Sequence, residues 1–176
     1  MSRLRRFPNG VLVAGLAAAI AVACSSGDQG VIQAQAKDPV IALSEGACFG
    51  ACPIYDLTLH PDGSYALNGV RFVKATGVSE GNIGKAAWTE AEKALSAANF
   101  WTLPPEQTMR TLQNCHTDAP TVKITWRTQA GKEKTLTYYA GCGVRDVENL
   151  VRSLRAALHF QELVWTDARF DANGNR

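Results

Sequence analysis

Two stretches of this chain alternate apolar and polar residues one for one. Tyr55, Leu57 and Leu59 alternate with Asp56, Thr58 and His60; Val122, Ile124 and Trp126 alternate with Lys123, Thr125 and Arg127. Successive side chains of a strand point to opposite sides, so each stretch predicts a strand with one buried face. Turn chemistry and a returning arm follow each one. Pro61-Asp62-Gly63 leads into Ser64 to Leu67, with Asn68-Gly69 as a bend or bulge and Val70 to Val73 as a continuation. Ala130-Gly131-Lys132 leads into Thr135 to Tyr139. In both turns Gly accepts the positive φ that other residues resist. The apolar run Val40 to Ser44 supplies an opening strand. A half-buried sheet needs a cover, and two helical patterns provide it. One is expected from Trp88 to about Asn99, with Thr89 and Glu92 at capping-box spacing. Pro104-Pro105 cannot continue it. The other carries Val147, Leu150, Val151, Leu154 and Leu158 on one stripe, with Arg145, Glu148, Arg152 and Arg155 off it. The order β-β-β-α-β-β-α predicts an α+β fold: an antiparallel sheet with both helices on one face.

The ends read differently. Arg3, Arg5 and Arg6 precede the apolar stretch Val11 to Ala23, which is too short to cross a ~30 Å hydrocarbon core as a helix. A basic start, a short apolar run and small residues at its end describe a secretory signal over residues 1–23. Ile20-Ala21-Val22-Ala23-Cys24 resembles a bacterial lipobox, with Ala21 where that motif usually has Leu. Ala21-Val22-Ala23 also reads as a plain cleavage site, but plain secretion leaves Cys24 as an odd free thiol in an exported protein. The expectation is therefore acylation (palmitate) of Cys24, a flexible tether over 24–38, a folded domain over 39–170 and a frayed tail over 171–176. Ser25 after the anchor resembles sorting to the outer membrane, facing the periplasm. The full chain carries 18 basic and 16 acidic residues, a net +2. Loss of residues 1–23 takes away three arginines and no acid, which leaves a net charge of −1. A near-neutral chain with no Lys/Arg run has no electrostatic footprint for nucleic acid.

With Cys24 acylated, Cys48, Cys52, Cys115 and Cys142 remain. An even number in an oxidising compartment predicts two disulfides, and four cysteines allow three pairings. Cys115 and Cys142 flank the second hairpin just beyond its open end, which favours their pairing and leaves Cys48 with Cys52. Closing the longer span of about 28 residues contributes roughly 3–4 kcal/mol in the chain-entropy model, and the short loop only about 2 kcal/mol. The rival reading keeps the thiols reduced. Cys48-Phe-Gly-Ala-Cys52-Pro53 then resembles the copper-binding loop of Sco-type thioredoxin-fold proteins, with His116 completing a set of Cys48, Cys52 and His116. Against that, the residues after Pro53 alternate as a strand rather than a helix, and no C-x-x-C is present.

Other chemistry is sparse. His60 precedes a turn on the polar side, and His159 ends the last helix. There is no G-x-S-x-G elbow, H-E-x-x-H, P-loop or G-x-G-x-x-G. Asp118 could serve as the catalytic acid of a small hydrolase, although an Asp before Ala-Pro is ordinarily a turn or cap residue. Trp88, Trp101, Trp126 and Trp165 are expected in packing, and Glu90, Glu92 and Lys93 on a solvated helix face. No cofactor is expected.

Several of these pieces occur together in a known order: Cys48 to Tyr55 (CFGACPIY), Asp62-Gly63 with Tyr65, Gly69 to Gly77 around Phe72-Val73, Phe100 at a helix end, and Thr117-Asp118-Ala119-Pro120-Thr121 opening a strand. From Ile41 to Leu158 the chain resembles the DUF6438 family. That resemblance implies a domain of unknown function, often on exported or lipid-anchored bacterial proteins, and it transfers no catalytic residue. Cys115 and Cys142 are additional to its pattern, which again favours their pairing. The reading is a non-catalytic binding or structural module of the cell envelope. Its contact with an envelope protein or cell-wall component would be the loop around Phe49 or the open sheet face, with Asp118 a further binding candidate.

Overall fold

The structure, a computed structural model, describes residues 38–165. The expected signal segment, the acylation site Cys24, all but the last residue of the tether, and everything beyond Trp165 lie outside the described residues. The described strands form one sheet: β1 (Val40–Glu45), β2 (Ile54–Leu59), β3 (Ser64–Arg71), β4 (Gly77–Asn82), β5 (Glu106–Gln107), β6 (Thr121–Arg127) and β7 (Glu133–Tyr139). Their order across it is β4-β3-β2-β1-β6-β7-β5. All neighbours are antiparallel except β5 and β7, which are parallel. β1 joins the two halves, pairing with β2 on one side and β6 on the other.

The alternation explains how the sheet is covered. Ile41, Leu43, Leu57, Leu59, Ile124 and Leu136 are buried on one face. There they form one core with Trp88, Ala91 and Leu95 of α1 (Lys85–Ala97) and Val147, Leu150 and Leu154 of α2 (Arg145–Ala157). A single turn, α3 (Phe160–Leu163), adds Phe160 to it. The opposite face carries Ser44, Asp56, Thr58, Lys123 and Thr125, none of them buried. Trp88 and Trp126 are buried, and Trp101 and Trp165 pack against the core from its margin.

Several expectations are corrected in detail. α1 begins at Lys85, three residues before Trp88, and follows Gly84 at φ 84° with no side-chain cap. The expected capping box does not form, because Thr89 is already one turn inside the helix and its hydroxyl donates to Lys85 O at 3.3 Å. β3 stops at Arg71 because Phe72 turns to φ 56°. β4 and β5 were not expected. Every residue of β4 is exposed, so it carries no apolar alternation, and β5 is only two residues long. α2 follows its stripe as expected, and His159 breaks away beyond it at φ 52°.

Candidate functional site

β1 ends, and β2 and β6 begin, at one end of the sheet: Glu45 lies opposite both Tyr55 and Val122. The loops 46–53, 108–120 and 140–144 therefore meet at this rim. Backbone bonds lace them together. Gly46 N donates to Thr121 O at 2.9 Å, and Phe49 N to Asp118 O at 3.2 Å. His116 N donates to Gly141 O at 2.9 Å, and Ala119 N to the Tyr139 hydroxyl at 3.1 Å. Gly141 is required here, because a Cβ at this position would stand 2.1 Å from His116 O.

Both disulfides sit in these loops. Cys48 and Cys52 are joined across five residues with a Cα–Cα distance of 5.8 Å, and Cys115 and Cys142 with a Cα–Cα distance of 4.0 Å. The first closes a loop whose tip is Phe49, 86% exposed. Gly50, at φ 136°, makes the turn. Asp118 is brought beside Phe49, but through its backbone carbonyl. It holds φ 71°, and its carboxylate accepts from Thr117 Oγ1 at 3.1 Å in the open. His116 is exposed on the same rim. Among the described residues, no three His, Cys, Asp or Glu side chains are grouped to hold a metal ion. The alternative set of Cys48, Cys52 and His116 is thus not gathered as a ligand cluster, since both sulfurs are committed to each other.

Below the loop, on the open face, Asp56, Ser44 and Lys123 are cross-strand neighbours on β2, β1 and β6. With Gly46 and Thr121 they line a cleft of about 420 Å³. A groove of about 570 Å³ lies between α1 and α2, walled mainly by Ala86, Ala94, Ala97 and Ala157. It is larger, with Glu90, Lys93, Ser153 and His159 among its lining residues, and it contains none of the residues of the stapled loops.

On the core side of the same rim sits a feature the sequence reading missed. Glu45 is only 3% exposed. Its Oε1 accepts from the Tyr55 hydroxyl and from Arg155 Nε, both at 2.7 Å, and its Oε2 accepts from Arg155 Nη2. The Arg155 guanidinium lies 4.9 Å from the Phe160 ring centre. A buried carboxylate needs such partners, because an unpaired one costs several kcal/mol. Burial, then the neighbouring Glu45 charge, pushes the Tyr55 hydroxyl well above the usual phenol range. Burial opposes the Arg155 charge, but the Glu45 hydrogen bond and charge outweigh it and hold the guanidinium more firmly protonated. The signal was present: Ile41, Leu43 and Glu45 continue one alternation, which puts a charge in a core position. Arg155 is off the helix stripe as expected, but it folds down onto Glu45 instead of into solvent.

The family model of DUF6438, a domain of unknown function, matches residues 39–158. This chain belongs to the DUF6438 family. No curated protein matches it. The match covers β1 to the end of α2, so both staples, Phe49 and the Glu45–Tyr55–Arg155 group all lie inside the DUF6438 domain.

Proposed function

We propose that this DUF6438 protein is a non-catalytic binding module of the bacterial cell envelope. It is anchored through lipid on Cys24 and presents Phe49 to an envelope partner. The supporting observation is the exposure of that ring, 86%, at the tip of a loop held on three sides. The Cys48–Cys52 bond closes the loop, Gly46 ties it to β6, and Phe49 N ties it to Asp118. An exposed aromatic on a rigid loop is the form of an interface anchor: large contact area, and little ordering entropy left to lose on binding. The Asp56–Ser44–Lys123 cleft beside it supplies polar contacts for the rim of such an interface.

A photo-crosslinking phenylalanine analogue at position 49, in cells making the full chain, tests this. Specific adducts from position 49 and none from Met109, another exposed apolar residue at 52%, are expected, and Phe49→Ala should weaken capture of the same partner. No adduct at 49, or the same adducts from both positions, overturns the reading. The rivals separate cleanly. Thiols on Cys48 and Cys52 that alkylate before reduction, followed by copper binding, would assign a thiol-based role. A hydrolytic activity abolished by Asp118→Asn would assign an enzyme.

A further inference from the structure

The two edges of the sheet are built differently. β5 is two residues long and follows Pro104-Pro105, which cannot donate to an added strand. β4 has none of these protections. Over Gly77 to Asn82 it has no proline, no lysine and one charge, Glu80, and all six residues are exposed. Val78, at 75% exposed, stands on it.

The ladder shows which backbone groups are free. Ile83 N donates to Gly63 O at 2.9 Å, in register with the β3–β4 pairing. Hydrogen-bonded pairs alternate in an antiparallel ladder, so Gly81, Ser79 and Gly77 turn their N–H and C=O inward to Tyr65, Leu67 and Gly69. Val78 and Glu80 therefore turn theirs outward, to an edge that no other described strand pairs with.

We propose that this edge pairs with β4 of a second copy of the chain, antiparallel, about a two-fold axis at Ser79. That register sets Val78 opposite Glu80 of the other copy and Ser79 opposite its twin. The outward groups of Val78 and Glu80 then exchange four backbone hydrogen bonds across the axis. A register centred on Glu80 sets the two carboxylates face to face. One centred on Val78 runs past Gly77, whose φ of 90° ends the extended strand. The Ser79 register is thus the longest in which like charges do not meet. The core-side positions of β4 are Gly77, Ser79 and Gly81, with the Tyr65 ring lying 2.8 Å from where a Cβ on Gly81 would stand. β4 itself carries no side chain larger than serine on that side.

Sedimentation of the disulfide-intact protein across a concentration series tests this, with Glu80→Pro and Ser79→Cys as probes. The wild type should dimerise reversibly. Glu80→Pro removes one outward N–H per copy and none that faces β3, and an edge strand accepts proline there. It should weaken the dimer roughly 30-fold through two lost hydrogen bonds. The Ser79→Cys variant should oxidise to a disulfide that joins position 79 of one copy to position 79 of the other, identified by peptide mapping, whereas Val78→Cys should form no such bond. A wild type monomeric throughout, a dimer indifferent to Glu80→Pro, or a dimer that Ser79→Cys fails to crosslink would each overturn the proposal. If Glu80→Pro unfolds, the crosslink alone decides.

Discussion

Removing Arg155 while leaving Glu45 in place tests the energetics of the buried group most directly. Arg155→Ala strips Glu45 of two charge-assisted hydrogen bonds and its counter-charge, leaving only the Tyr55 hydroxyl at 2.7 Å. With Arg155 in place Glu45 is 3% exposed; the Arg155 side chain is itself 38% exposed, so its removal lets water reach part of the stranded carboxylate. Breaking a fully buried ion pair costs about 3–5 kcal/mol; with Arg155 38% exposed, solvent screening cuts this to about 2–3 kcal/mol, still a large part of the roughly 5–15 kcal/mol that holds a domain folded. For a domain of this size that lowers Tm by about 5–10 °C. The cost is that of a stranded charge, not of lost attraction, so Glu45→Leu/Arg155→Leu with Tyr55→Phe should recover most of it. Thermal unfolding by circular dichroism measures this. A Tm within 2–3 °C of wild type, about what a surface change of 0.5 kcal/mol gives, or a triple variant no more stable than Arg155→Ala, would refute the stranded-charge account.

Further outcomes follow from the same geometry. Tyr55 is held neutral by burial and Glu45, so its folded pKa lies above the unfolded value. The stability it confers is complete below about pH 10 and is lost as pH rises further, so Tyr55 should ionise only together with alkaline unfolding, read at the phenolate absorbance. Gly141→Ala drives a Cβ against His116 O and should cost about 1–3 kcal/mol or more in denaturant midpoint. Replacing Cys115 and Cys142 by serine should cost roughly 3–4 kcal/mol, against about 2 kcal/mol for Cys48 and Cys52. Phe49→Ala should change stability by no more than about 0.5 kcal/mol while weakening partner capture.

Much of the architecture was legible because it rests on local alternation. Tyr55-Leu57-Leu59 and Val122-Ile124-Trp126 show strands with one buried face, and the α2 stripe shows its cover; these patterns exist wherever one side of an element meets the core and the other meets water. β4 escaped for the converse reason: exposed on both sides, it is a strand only because β3 supplies its hydrogen bonds. The start of α1 escaped because Gly84 and its φ, not a side-chain cap, set it.

The sequence by itself determined the class of fold, the cysteines available for two staples and the absence of the familiar catalytic motifs, since period, count and spacing are properties of the chain. Tertiary structure decided what those residues do. It placed Phe49 at an open tip beside Asp118, residues nearly seventy positions apart. It brought Arg155 onto Glu45 across a separation of 110, and among the described strands it left one sheet edge blunt and the other without a neighbour. Contacts between residues far apart along the chain are set by the sheet's order and register, and no local pattern encodes them.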